Sequence, residues 1–593
     1  MQENFSDSAP ALGQLGALTA ALVIGTNLAA SYWPHMAGYL LFTAAALLVL
    51  ELGLWLAEKL CRWFLHRSPQ GLLGLGLLIL SIAYTVRRGA GEGLTWRVLL
   101  FSGLSAGALG LLAVSWWSLL RWRRLTPWTG AAALLSACAV GMLATLLLTD
   151  GFQDPMVRRY LALSEPQEPA ALLEAGLGPF PTVTLDYGPD GAVEAGTVDL
   201  TDYMNRHTGN LVGHYVDAYW DYGLDEVPLR GRVWYPAEGQ SCPVLFLAHG
   251  NHGITTPSYQ GYDYLGAYLA SYGYVVVSVD QNACNMLTGE NDGRAVLLLE
   301  HIGLLLDYSS QRENPLYGKI DPDRIAIAGH SRGGEMAATA YLFNGYDCYP
   351  ENGAIEFDYH YNIRSIIAIA PTVDQYRPAD HSVELEDVNY LLLHGSADRD
   401  VTSFQGMAQY ENVTFTGRGD YLKSALYIAG ANHGQFNSLW GAYDQTGSFA
   451  PFLNMESLLD QADQQRIACL FIKAFLDVTL REDDTHRALL TDWDSYRSQL
   501  PETVYVQCWE SSGFTPVADF EEDSDLETGT LEGSSISAEN MRLWTEELAG
   551  FGGSDTHAAR LRWTWRGKYA VAFPEADLTG RDVSFDICDL DSA

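Results

Sequence analysis

The sequence predicts an α/β chain in which a mostly parallel sheet is covered by helices on both faces. An all-α membrane region precedes it and a β-rich module follows it. Three observations predict this layout. From about residue 225, purely apolar runs of four to eight residues alternate with helical patterns, as parallel strands buried on both faces require. Residues 1–150 instead hold five apolar stretches in succession. After about residue 500 the helical patterns stop, and short alternating runs separated by Ser, Asp, Glu and Gly take over.

The five stretches are 11–33, 36–57, 71–86, 98–120 and 128–149. Four are long enough, at about 1.5 Å per residue, to cross a ~30 Å hydrocarbon layer, while 71–86 is short and needs local thinning of the bilayer. Residues 1–150 are therefore expected to form a transmembrane region of five helices, with the lipid bilayer as a partner. Trp116, Trp117, Trp122 and Trp128 fall at the ends of the fourth and fifth stretches, where amphipathic rings favour the interface. A secretory leader is not expected, because the start MQENFSDSAP has no basic residue and the apolar pattern then repeats. An odd number of spans puts the body opposite the N-terminus. Lys59, Arg62, Arg67, Arg121, Arg123 and Arg124 on the N-terminal side face Arg87, Arg88, Arg97, Arg158 and Arg159 on the other. That small excess favours an extracytoplasmic body.

Of the formal net charge of −37, residues 1–150 contribute +3, so the body carries −40. Such a surface repels phosphate backbones, which excludes nucleic acid as a partner. A content of 48% hydrophobic and 12% aromatic residues excludes disorder as the main state. The body holds six cysteines, Cys242, Cys284, Cys348, Cys469, Cys508 and Cys588, an even number that permits disulfides outside the cell. No CxxC spacing is present, so no zinc site is expected.

Residues 151–224 read as a linker and entry segment, because Pro155, Pro166, Pro169, Pro179, Pro181 and Pro189 interrupt any long helix. Residues 225–485 hold the expected strands 227–236, 244–249, 274–280, 324–330, 365–371, 389–395 and 424–430. Helices are expected at 262–273, 294–308, 334–343 and 456–478 between and after them. Residues 500–593, from TVYVQCWE through RLRWTWRG, are expected to form a β-sandwich-like module. About 90 residues is small for a sandwich, so the module is read as incomplete in this chain.

The strongest chemical signal is DRIAIAGHSRGGEMAATA. Here Gly329-His330-Ser331-Arg332-Gly333 follows an apolar strand and opens a helix, the context in which GxSxG forms a strained elbow that exposes a serine hydroxyl. The backbone N–H of Arg332 then points with the helix dipole toward a developing oxyanion. A serine needs a base near neutral pH, and His433 in GANHGQFN follows the last apolar strand at the carboxyl edge of the sheet. His486 and His557 also lie downstream, in a charged stretch and in the next module. The orienting acid belongs on the loop GSADRDV, where Asp398 is favoured and Asp400 is the alternative. The second oxyanion donor is expected in AHGNHG, at the backbone N–H of Asn251 after Gly250, with His249 and His252 read as loop-holding residues. Tyr259, Tyr262 and Tyr264 read as packing for the helix that follows.

Taken in order, HGNHG, YLASYGYVVVSVD, GHSRGG, HGSADRDV and ANHGQFN resemble the α/β-hydrolase superfamily. Within it they resemble the cutinase-like, dienelactone-hydrolase-like and platelet-activating-factor-acetylhydrolase-like esterases. The resemblance covers about 225–480 and implies a sheet of about eight strands, ester hydrolysis through an acyl-enzyme on Ser331, and no metal or organic cofactor. The substrate so implied is a small-molecule or polymer-bound ester. Two other readings stay open. One is a surface-anchored binding or adhesion protein, in which the C-terminal module takes a glycan or protein ligand. The other is acyl transfer on the same Ser331, Asp398 and His433.

Overall fold

A computed structural model describes residues 171–204, 219–444, 455–548 and 557–574, save 175, 221 and 288, with short pieces among 17–55, at 155–163 and near the end. Of the five apolar stretches, only helical pieces such as 17–22 and 43–52 fall among the described residues. The expected spans otherwise lie outside them. No described helix is long and apolar enough to cross a membrane.

The centre is one nine-stranded sheet. Its strands are β1 (Thr182–Tyr187), β2 (Gly231–Pro236), β3 (Cys242–Ala248), β4 (Val275–Val279), β5 (Ile320–His330), β6 (Ile363–Ile369), β7 (Asn389–Gly395), β8 (Leu422–Ile428) and β9 (Tyr505–Ser511). They lie in the order β1-β2-β4-β3-β5-β6-β7-β8-β9. β4, β3 and β5 through β8 run parallel, whereas β1, β2 and β9 pair antiparallel with their neighbours. The strands are apolar on both faces because both are covered. Val244, Phe246, Val277 and Ile327 pack with Leu297 and Ile302 of α2 (Asn291–Ser310) and Met336 and Phe343 of α3 (Arg332–Asn344). Leu245, Leu247, Val276 and Ala328 pack with Leu265 and Leu269 of α1 (Asp263–Ser271) and Phe471 and Phe475 of α4 (Gln461–Arg481). Successive residues of a strand point to opposite faces, so each strand feeds two cores.

Strand order reverses at β3: the chain leaves it for β4 on one side and returns as β5 on the other. At such a switch point the connections leave on opposite faces and open a crevice at the carboxyl ends, here between the loops after β3 and β5.

The structure corrects three expectations. The entry segment contains a sheet strand, since TVTLDY buries Leu185 and Tyr187 in period two and pairs with β2. The prolines around it stop helices, and that is no obstacle to an edge strand. The segment after residue 500 forms no sandwich among the described residues. YVQCWES becomes the ninth strand of the main sheet, and Ser535–Leu548 (β10) with His557–Ala572 (β11) form a two-stranded antiparallel ribbon. Alternation identifies a strand but not the sheet it joins. Finally, no disulfide joins Cys242, Cys284, Cys348, Cys469 and Cys508; Cys242, Cys284 and Cys469 are buried as small apolar side chains.

Candidate active site

Ser331 sits between the last residue of β5 and the first of α3, at φ 60° and ψ −127°. This backbone conformation is costly for a residue with a side chain and persists because its surroundings hold it. Ser331 donates its N–H to the Ile369 carbonyl at 2.9 Å, and its own carbonyl accepts from Gly334 at 2.8 Å. The flanking glycines are required by contact. A Cβ at Gly329 would strike the Gly333 carbonyl, and one at Gly333 would lie 2.6 Å from the Ala248 carbonyl.

The loop after β3 closes on this serine. A Cβ at Gly250 would collide with Ser331 Cβ and lie 2.7 Å from the His330 carbonyl and 3.0 Å from Ser331 Oγ. The Gly250 backbone, and the peptide leading to Asn251, therefore lie beside the Ser331 hydroxyl. The Asn251 side chain fixes the loop by accepting the Met286 N–H at 2.6 Å. His249 is fully buried, with Nδ1–H donating to the Gly250 carbonyl at 2.8 Å and Nε2 accepting the Gln281 N–H at 2.9 Å. Both ring nitrogens are thus used in holding the loop, as expected.

The acid and the histidine meet because β7 and β8 are neighbours whose following loops are zipped together. Ser396 donates to the Ile428 carbonyl at 2.9 Å and Ala397 to the Ala431 carbonyl at 2.8 Å. Across this seam His433 Nδ1–H donates to Asp398 Oδ2 at 2.8 Å. Asp398 Oδ1 accepts the backbone N–H groups of Asp400 at 2.9 Å and Val401 at 2.7 Å, which fixes its rotamer. Asp398 is 6% exposed and His433 2%. Asp400 does not take the Nδ1 position; its Oδ2 lies 3.6 Å from His433 Nε2. Burial pushes the His433 imidazole down, but the carboxylates of Asp398, then Asp400 and Asp444, outweigh it and lift it to about 9.

His486 instead pairs with Glu174 and His557 with Glu521, so neither joins this cluster. Tyr262 and Tyr264 pack as expected, and Tyr262 Oη is also hydrogen-bonded to His330 Nδ1 at 3.1 Å, one residue before the serine.

Three features had no motif to announce them. Trp440 is half-buried and stacks on His330 at 4.6 Å and on His252 at 5.1 Å, 9° from parallel. Asp444 clamps the two loops, accepting from Arg399 N–H at 2.9 Å on one and from Gly434 N–H at 2.7 Å on the other. Arg294 is fully buried on α2 and reaches Asn285 at 3.0 Å, Gln281 at 3.3 Å and Glu290 at 3.4 Å, while Glu290 also accepts from the Arg332 guanidinium.

The chain has a large, mostly parallel sheet covered by helices, with a serine on a strained turn between a central strand and its helix. Within it, residues 230–342 match the family model described as "PETase: PET hydrolase-like". That segment runs from β2 almost to the end of α3, so it holds the oxyanion loop and Ser331 and leaves Asp398 and His433 outside. Cutinases of Thermobifida alba, Thermobifida cellulosilytica and Thermobifida fusca are each 29% identical over 105 residues, or 18% of this chain. The match covers 32%, 36% and 30% of those relatives, so the chain spans about a third of the length of the proteins it matches. No group of His, Cys, Asp and Glu among the described residues could hold a metal ion.

Proposed function

We propose that this chain is a membrane-anchored serine hydrolase that cleaves carboxylic esters through an acyl-enzyme on Ser331. The observation that carries the reading is the buried Asp398–His433 pair, joined at 2.8 Å on loops at the same sheet edge as the Ser331 elbow. In the reaction Ser331 Oγ attacks the ester carbonyl while its proton passes to His433 Nε2. The carbonyl oxygen becomes an oxyanion held by the backbone N–H groups of Arg332 and Asn251, each worth about 3–4 kcal/mol. His433 then gives its proton to the departing alkoxide, and water repeats the sequence to free the acid. Asp398 keeps Nδ1 protonated and stabilises the imidazolium. The likeness to cutinases supports small-molecule and polymer-bound esters as the substrate class.

Anchoring rests on the five apolar stretches and on Leu48, Val49 and Leu52, which are 72%, 70% and 63% exposed on a helical piece of the second stretch. The basic-residue count supports an extracytoplasmic body.

A fluorophosphonate probe should label the wild-type chain, and Ser331→Ala should abolish labelling while the melting temperature is kept. Asp398→Asn should lower kcat by about three to four orders of magnitude with little change in KM, because the acid acts on the transition state. Labelling that persists in the alanine variant would overturn the assignment.

A further inference from the structure

His433 carries a carboxylate on each edge of its ring. Asp398 holds Nδ1, and Asp400 Oδ2 lies 3.6 Å from Nε2, the nitrogen that must accept the serine proton. Nε2 is buried and makes no hydrogen bond among the described residues, so the Ser331–His433 bond is unmade. Charged and titratable groups face this ring from every packed element. Asp398 and Asp400 come from the loop after β7, and Asp444 from the turn beyond His433. His330 comes from the end of β5, His394 from β7 and His252 from the oxyanion loop. Burial lowers all three of these histidines, His252 to about 4, and it lowers His433 as well, but there the carboxylates outweigh it. The net effect raises the ring to about 9, so the carboxylates favour its protonated form, and the one nearest Nε2 is Asp400.

We propose that Asp400 is a positioning residue for this reaction: a second carboxylate, on the Nε2 edge of His433, that stabilises the imidazolium formed when the neutral ring takes the Ser331 proton, and that by the same attraction holds back loss of a proton already on the resting ring. The inference rests on the serine-hydrolase reading. It gives Asp400 two effects of opposite sign. The carboxylate delays loss of the resting proton, which slows the reaction at neutral pH. Once that proton is gone, the same carboxylate favours its return from Ser331 Oγ, which speeds the reaction at high pH.

The test is the rate of phosphonylation by an uncharged fluorophosphonate between pH 6 and 10.5, on the full chain and its Asp400→Asn and Asp400→Glu variants. In Asp400→Asn the acid limb should move down by about one pH unit and the alkaline plateau should fall, so that its profile crosses that of the wild type. Asp400→Glu keeps the charge and should keep the wild-type limb. A purely structural role would lower the plateau and leave the limb in place, and that result overturns the inference while labelling at Ser331 stands. A wild-type chain unlabelled at every pH would overturn the hydrolase reading itself, and this inference with it.

Discussion

Gly250 shows how little freedom the site leaves a single residue. The atoms nearest a Cβ there are the His330 carbonyl at 2.7 Å, fixed in β5, and the Ser331 side chain, with Oγ at 3.0 Å. Neither can move without disturbing the elbow. Gly250→Ala should therefore displace the Asn251 donor and cut kcat by about a hundredfold or more. The cost in stability should be only that of overpacking, about 1–3 kcal/mol. Hydrolysis at wild-type rate in a folded Gly250→Ala chain would mean that the oxyanion loop lies elsewhere. The residues with intrinsic constraints were legible in the sequence. The glycines of GHSRGG and HGNHG, the serine between strand and helix, and a histidine after the last parallel strand each have a local reason to be where they are. Trp440, Asp444 and Arg294 have none. Their roles depend on partners elsewhere in the chain, up to 188 positions away, such as Gly434, Gln281 and His252, and no spacing rule encodes those pairings. Asp400 was legible as an alternative to Asp398, but its place on the other edge of the ring depends on how two loops pack.

At the scale of elements, the parallel strands and the four covering helices follow from apolar runs and helical periodicity, and their expected bounds agree with the structure to within a few residues. The antiparallel edges did not follow. β1 and β9 are short and alternating, and such strands fit any sheet that offers a free edge. β9 nonetheless has a structural task, because it pairs with β8 along its whole length, from Leu422 against Ser511 to Ile428 against Tyr505. Tyr505 also closes the core beside Trp493, with ring centroids 4.9 Å apart. Ending the chain after residue 500 should bare the β8 backbone edge and promote edge-to-edge association. Ending it after residue 515 removes the β10–β11 ribbon and keeps β9, and should leave the catalytic body intact. Size-exclusion chromatography and limited proteolysis of the two truncations separate these outcomes. A chain ended at 500 that is monomeric and as protease-resistant as the longer one would show that β9 is dispensable.

At the scale of the whole molecule, charge and the surroundings of the cleft constrain the substrate. Between β6 and β7 the chain inserts only the turn Pro378–Asp380 and the two-residue strand Leu385–Glu386, so no helical lid rises from that connection. Around the site, Met286 and Leu439 are 41% and 47% exposed next to Asn251 and Trp440, which offers apolar contact to a neutral acyl or alcohol group. The body's charge of −40 and the three carboxylates about His433 add a field that repels anions before they reach the serine. A neutral short-chain p-nitrophenyl ester, with about two to eight carbons in its acyl group, should therefore be a better substrate than long-chain emulsified triglyceride. No jump in rate should appear as the substrate passes its solubility limit. Replacing the neutral acyl group by one that ends in a carboxylate should lower kcat/KM. That penalty should shrink between 0.02 and 0.5 M salt as the screening length falls from about 20 Å to about 4 Å, while the neutral ester is unaffected. A salt-independent penalty would place the discrimination in direct contacts and not in the field. A preference for long acyl chains with interfacial activation would overturn the substrate class, and would assign the apolar N-terminal stretches the task of holding the cleft against the bilayer to draw lipid esters from it.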